Sequence, residues 1–320
     1  MTTIAVYGGF AAIPILDDLR AALPQATVVP LGSDGPVAAA RDADVAIGSP
    51  SADRVRALLR ECPRLRWVHT VSAGVERLLI PELLERDDVL LTNNTGAYDV
   101  PIAEHVMAML FAIAKRVPHH LAAQSRHQWQ RDPGHAELRD ASLVILGMGS
   151  IGGELARLAS GVGMRVTGIR RHLPNGTARE APRIVGSDAL PDVAAEADYL
   201  AITAALTAQT RGMVSADVIA RMRPTAWLVN IARGAIVDEE ALLAACRDGR
   251  IGGAALDVFS SEPLPADSAW WDLPNAIITP HVSNSSPRVQ ERTLALFVEN
   301  VRRFQRGEQL LNLVDKRVGY

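Results

Sequence analysis

The pattern that most restricts this chain is Gly147-Met148-Gly149-Ser150-Ile151-Gly152, set between an apolar run, Ser142–Leu146, and a helical stretch reaching Ala159. A glycine-rich turn between a buried strand and a helix is the opening turn of a dinucleotide-binding βαβ unit. The first glycine permits the tight turn, the second lets backbone approach a pyrophosphate, and the third allows close helix–strand packing. N–H groups at the start of the helix then face the phosphates. The plainer alternative is a glycine-rich turn without a ligand; strand and helix on the correct sides argue against it.

The rest of the chain repeats the strand–helix alternation expected around a parallel sheet. Ile4–Tyr7, Val45–Ile47, Trp67–Thr70 and Val89–Leu91 read as strands, with amphipathic segments such as Ser51–Arg60 between them. A second series comprises Ser142–Leu146, Arg165–Ile169, Tyr199–Thr203, Ala226–Ile231, Ala254–Val258 and Ala276–Thr279, with helices such as Asp238–Arg247. Two α/β modules therefore share 320 residues, a length at which single cores usually stop growing. Asp99–Arg116, with Pro101 at its start, reads as a helix connecting them. Arg288–Arg306 carries Val289, Leu294, Phe297, Val298, Val301 and Phe304 at helical spacing. Too little chain follows it to form a domain, so this helix is expected to cross back and complete the first module.

Bulk properties exclude several function classes. The chain is 48% hydrophobic and 22% charged with a net charge of −3, which gives no electrostatic preference for nucleic acid. No apolar run reaches membrane length, so no membrane role is expected. Cys62 and Cys246 have neither metal-type spacing nor a secreted disulfide framework, and read as packing residues in a reducing compartment. Met1–Tyr7 begins as a strand, without a basic flank or cleavage site. A cytoplasmic protein is the expectation.

A carboxylate at the end of the second strand normally hydrogen-bonds the adenosine ribose 2′-OH of NAD. Here Arg165–Ile169 runs into Arg170-Arg171-His172. A carboxylate would repel a 2′-phosphate, whereas arginine pairs with it through charge-assisted bidentate bonds. Arg170 and Arg171 therefore predict a preference for NADP(H), with NAD(H) still usable. The alternative is a solvated basic loop end.

Three further strings follow in order: Asn230-Ile231-Ala232-Arg233-Gly234, Asp257-Val258-Phe259-Ser260-Ser261-Glu262-Pro263 and Thr279-Pro280-His281. A 2-oxo acid presents a planar carboxylate beside a ketone. Reducing it calls for a fork-shaped cation, a proton donor and a positioned hydride. Arg233 suits the first task, since guanidinium matches carboxylate bidentately and stays charged. His281 suits the second, because imidazole titrates near neutral pH. Glu262 beside it would orient the ring and favour its charged form. Arg233 and His281 together would stabilise charge developing on the ketone oxygen. Taken singly, Arg233 could cap a helix, Glu262 could sit in a turn, and His281 could be a satisfied loop histidine.

The linked strings, with Thr207-Ala208-Gln209-Thr210-Arg211-Gly212, Gly252-Gly253-Ala254-Ala255-Leu256-Asp257-Val258, Val71-Ser72-Ala73-Gly74-Val75 and Ala103-Glu104-His105, resemble the D-isomer-specific 2-hydroxyacid dehydrogenase family. The resemblance covers nearly the whole chain. It implies two Rossmann-like, doubly wound parallel-sheet domains with the active site in the interdomain cleft. The expected substrate-binding domain is 1–98 plus 288–320, and the expected dinucleotide-binding domain, with a dimerisation segment, is 99–287. By this likeness Arg233, Glu262 and His281 are the catalytic set, and the backbone N–H groups of Ser72, Ala73 and Gly74 hold the substrate carboxylate. Asp257 and the carbonyls near Ile231 and Ala232 meet the nicotinamide amide. Gly147, Gly149 and Gly152 shape the cofactor-binding turn, and Ser150 and Ile151 meet the pyrophosphate. A homodimer is implied, and Trp129 matches a tryptophan that in some relatives reaches the partner's active site; a dimer-core or surface aromatic is its equal alternative.

The chain departs from the family in having Ala205 where proline is frequent. Its lack of an acidic residue at Arg170 resembles the NADPH-dependent glyoxylate and hydroxypyruvate reductases. The leading expectation is thus an oxidoreductase transferring a hydride between NADPH and a small 2-oxo acid, giving the D-2-hydroxy acid. Side chains around Tyr7–Phe10, Ser49–Ser51, Ser72–Val75 and Tyr98 are expected to shape its pocket. Two alternatives keep the fold: oxidation of a small oxyanion of the phosphite or phosphonate type, and a nucleotide-sensing protein like the family's transcriptional co-repressors. The lack of long disordered extensions disfavours the second.

Overall fold

The computed structural model describes residues 1–8, 13–32, 36–131, 134–171 and 183–319, so Gly9, Phe10 and His172 lie outside the described residues. The chain divides into two compact units, Met1–Tyr98 with Ser286–Tyr320, and Asp99–Ser285.

The first unit begins β1 (Thr2–Tyr7), α1 (Ile13–Ala22), β2 (Ala26–Leu31), β3 (Val45–Gly48), α2 (Ala52–Glu61), β4 (Trp67–Thr70), α3 (Pro81–Leu84) and β5 (Leu90–Thr92). The five strands are parallel in the order β2-β1-β3-β4-β5. Successive strand residues point to opposite faces, so a strand buried throughout needs cover on both. Along β1, Ala5 and Tyr7 enter one core with Val55 and Leu58 of α2, while Ile4 and Val6 enter another with Leu16 and Leu19 of α1. The sequence pattern misses β2 because Pro30 interrupts it. In the structure β2 is an edge strand, where a missing N–H is tolerated.

The second unit runs α4 (Asp99–Ala114), α5 (Val117–Ser125), β6 (Ser142–Leu146), α6 (Ser150–Gly161), β7 (Arg165–Ile169), β8 (Arg183–Val185), α7 (Leu190–Glu196), β9 (Tyr199–Ile202), α8 (Ala216–Arg221), β10 (Trp227–Asn230), α9 (Glu239–Arg247), β11 (Gly253–Leu256) and β12 (Ala276–Ile278). Its seven strands are parallel in the order β12-β11-β10-β9-β6-β7-β8. The order reverses at β6, flanked by β7 and β9, and ligands of open α/β sheets bind beyond the carboxyl ends of strands at such a point. The glycine turn leaves β6 there.

Two details correct the sequence pattern. The single helix expected over Asp99–Arg116 stops at Ala114, Arg116 turns left-handed at φ 54°, and α5 restarts with a proline in its first turn. Pro118 lacks the N–H that a continuous helix would need, and is tolerated in the first turn of a new one. Strand β8 is only three residues long, too short to show alternation.

The last helix, α10 (Val289–Arg306), belongs to the first unit. Its Phe297, Val298 and Val301 lie in the core that holds Ile4, Val6 and Trp67, with the Trp67 and Phe297 rings 5.3 Å apart. Cys62 and Cys246 are buried thiols in separate cores, and burial pushes Cys246 up to about 12. No helix among the described residues is long and apolar enough to cross a membrane.

Candidate active site

The glycine turn is shaped by contacts that only glycine permits. Gly147 has φ 107°, and a Cβ there would lie 2.5 Å from backbone atoms of Ala204. A Cβ on Gly152 would lie 2.2 Å from the Gly147 carbonyl oxygen, so any side chain would push α6 off the turn. Thr203 Oγ1 donates to that same carbonyl at 2.6 Å. The N–H groups of Gly147 and Met148 both donate to Ile169 O, at 3.1 and 3.2 Å. The end of β7 is thereby stitched to the turn, and the exposed Arg170 and Arg171 follow immediately. Gly149 is the N-cap of α6, with Ser150 and Ile151 in its first turn, where helix N–H groups lack intrahelical partners. Ser150 Oγ donates to Asp99 Oδ1 at 3.0 Å. A tight turn without side chains at the start of a helix fits a dinucleotide pyrophosphate.

Arg233 follows β10. The buried Asn230 closes the turn: its Oδ1 accepts from Ala232 N and its Nδ2 donates to Arg233 O, both at 3.0 Å. Ile231 and Ala232 are buried, and Arg233 Nη1 donates to Ala232 O at 2.7 Å. A Cβ on Gly234 would lie 2.2 Å from the carbonyl carbon of Phe259. The Arg233 loop therefore lies directly on the segment leading to Glu262.

Glu262 Oε2 lies 2.7 Å from His281 Nδ1, and its Oε1 accepts from Phe259 N at 3.0 Å. Burial raises the carboxyl's affinity for a proton. The hydrogen bonds from His281 and Phe259, with the nearby His281 and Arg233 charges, outweigh it and hold Glu262 below the usual carboxylate value. An ionised carboxylate only accepts, so His281 must donate from Nδ1, which leaves Nε2 for proton transfer. His281 itself is left-handed, at φ 53°. Its N–H donates to Asp257 O at 2.9 Å. The buried Asp257 carboxylate accepts from Thr279 Oγ1 at 2.5 Å and from Val282 N and Ser283 N at 2.9 Å each. Asp257 thus fixes the whole turn that carries His281.

In the first unit, Ser72, Ala73 and Gly74 follow the carboxyl end of β4. Asn93 Nδ2 donates to Ala73 O at 2.8 Å, Asn94 Nδ2 to Val71 O at 3.2 Å, and the Tyr98 hydroxyl to Val71 O as well. Ser72 Oγ donates to Gly74 O at 2.8 Å, and Ser72 N to Thr70 Oγ1 at 3.3 Å. C=O and N–H of one trans peptide point oppositely. Holding Ala73 O on Asn93 therefore turns the Gly74 N–H away from Asn93.

Sequence reading did not single out Asn230, Thr203, Thr279, Asn93 or Asn94 for these supporting roles. Their one signal is position: each is polar at or just beyond the carboxyl end of an apolar strand. The loop carrying Ala205 is held by Thr210, whose hydroxyl donates to Ala205 O at 2.7 Å. Among the described residues, no group of three or more His, Cys, Asp or Glu is placed to hold a metal ion.

Residues 107–283 match the NAD binding domain of the D-isomer specific 2-hydroxyacid dehydrogenases. Glyoxylate/hydroxypyruvate reductase B of Pectobacterium carotovorum is 35% identical, over 95% of this chain and 96% of its own. A D-isomer specific 2-hydroxyacid dehydrogenase of Xanthobacter autotrophicus, solved with NADPH and MES, overlays with a TM-score of 0.84 at 28% identity, covering 100% of both chains. An NADPH-dependent glyoxylate/hydroxypyruvate reductase of Sinorhizobium meliloti, solved with NADP and sulfate, gives 0.84 at 29% identity and the same coverage. The chain belongs to the D-isomer-specific 2-hydroxyacid dehydrogenase family, as a nicotinamide-dependent oxidoreductase built on two parallel-sheet α/β units.

Proposed function

We propose that the protein reduces glyoxylate to glycolate or hydroxypyruvate to D-glycerate, with NADPH preferred over NADH. The observation that carries this reading is the 2.7 Å contact between His281 and Glu262, with the Arg233 charge acting on the same carboxylate. Bound reduced nicotinamide supplies the hydride. His281 gives a proton from Nε2 to the ketone oxygen, and Glu262 holds the ring and balances its charge. Arg233 pairs with the substrate carboxylate and stabilises negative charge on the ketone oxygen. The N–H groups of Ala73 and Gly74 take the carboxylate as well, at the end of a turn that Ser72 fastens through its N–H to Thr70 Oγ1. Gly149, Ser150 and Ile151 receive the pyrophosphate on the turn that Gly147 and Gly152 make possible, and Asp257 with the carbonyls of Ile231 and Ala232 receives the nicotinamide amide.

Two exposed arginines directly beyond β7 support the NADPH preference, since a 2′-phosphate is their natural bidentate partner. The names of the relatives support the substrate class. Measuring kcat/KM for both 2-oxo acids with each reduced cofactor tests the proposal. NADPH should be favoured with at least one acid, and equal or better use of NADH would remove Arg170 and Arg171 from cofactor selection.

A further inference from the structure

Beside the His281 turn lies a histidine with no role in the chemistry above. His105, on α4, has a side chain only 18% exposed, and its Nε2 is 3.2 Å from Thr279 Oγ1 and 3.9 Å from Asp257 Oδ1. The Thr279 hydroxyl has one hydrogen, and it is spent on Asp257 Oδ1 at 2.5 Å, because a carboxylate can only accept. Thr279 Oγ1 can therefore only accept from His105, which fixes Nε2 of His105 as the protonated nitrogen. The chain of donors runs one way, from His105 through Thr279 to Asp257. At its far end Asp257 accepts Val282 N and Ser283 N on its carboxylate and His281 N on its carbonyl.

We propose that His105 is a positioning residue for the reaction: its Nε2–H, acting through Thr279, orients the Asp257 carboxylate and so holds His281 in its left-handed backbone conformation. A non-glycine residue keeps that conformation only where its surroundings impose it. The donor chain provides that constraint from a helix far away in sequence. Burial holds His105 below the usual histidine value, with the Asp257 carboxylate opposing, so the ring acts as a neutral donor. Asp257 alone would not suffice, because its carboxylate could rotate to serve Val282 and Ser283 with different geometry. Thr279, itself held by His105, fixes the plane of the carboxylate between those two donors.

This inference rests on His281 being the acid of the proposed reaction, and the test separates the two. His105→Leu, Thr279→Val and the double variant are assayed with hydroxypyruvate and NADPH, alongside His105→Gln, Thr279→Ser and His281→Ala. Each of the first two should lower kcat roughly 10- to 100-fold while KM for hydroxypyruvate stays within about two-fold, since a misplaced catalytic group costs rate more than binding. The double variant should be no worse than the poorer single, because both break one chain of contacts. Gln at 105 and Ser at 279 should restore most of the loss. Unchanged kcat in both singles, or multiplying losses that neither conservative variant rescues, would overturn the proposal. If either single variant fails to fold in a thermal melt, the other carries the same test. Full activity in His281→Ala would instead defeat the reading of the acid. An inactive His281→Ala beside a normal His105→Leu would defeat only the present inference.

Discussion

At the residue scale, the candidate chemistry rests on side chains whose roles are set by what each can donate or accept. Glu262 accepts from His281 and from the Phe259 N–H, so the imidazole is locked with Nε2 as its working nitrogen. Arg233 is fastened differently, through its backbone carbonyl to Asn230 and through Gly234, whose missing Cβ lets the loop lie on Phe259. A lysine at 233 would keep the charge and lose the fork. Arg233→Lys should therefore lower kcat/KM roughly 100-fold or more. Steady-state kinetics with hydroxypyruvate checks this, and a near-normal value would refute the clamp. These three residues were legible in sequence because each has chemistry of its own in a distinctive string. Asn230, Thr279 and Asn93 were not. An amide or hydroxyl gains its role only from partners brought to it by folding, as Asn93 does on meeting Ala73, twenty residues away.

At the element scale, the alternating apolar runs announce most strands of both sheets. The exceptions have physical reasons. β2 contains Pro30 and is stable only as an edge, β8 is too short to show a period, and the helix beginning at Asp99 breaks where Pro118 removes a donor. Strand β4 holds a feature that no pattern reveals. Its His69 is fully buried beside Trp67 and Phe297, with Nδ1 2.7 Å from Thr92 Oγ1 and burial pushing its pKa down to about 3. In the unfolded chain the same ring protonates below about 6.5. The stabilising contribution of its neutral form is therefore complete above that pH and drains away as pH falls towards the folded value. The slope approaches about 1.4 kcal/mol per pH unit for this one group. Urea unfolding between pH 7 and pH 5 should show wild-type stability falling more steeply than that of His69→Gln, whose side chain does not titrate. Parallel slopes would show that His69 is not the group responsible.

At the scale of the whole molecule, the chain builds one five-stranded and one seven-stranded parallel sheet in turn, and α10 then returns to the first unit, in the core it shares with β1 and β4. The two parallel sheets were legible because the two strand series each repeat a βαβ logic. Assembly came only from the family resemblance, since surfaces carry no comparable period. Trp129 is 98% exposed in the single chain, and Leu121 is 57% exposed on α5. Aromatic side chains left in solvent are typical interface anchors, so a homodimer is the assembly we propose. Light scattering should give twice the chain mass, and Trp129→Ala should weaken the dimer; a wild-type monomer at assay concentrations would contradict it. The central claim is that this fold moves a hydride from NADPH to the keto carbon of a small 2-oxo acid. Mass spectrometry and chiral analysis of the product made from hydroxypyruvate and NADPH carrying deuterium at both C4 positions test it most directly. The expected product is D-glycerate carrying one deuterium at C2. Product without deuterium, or no product while the cofactor binds, would contradict it.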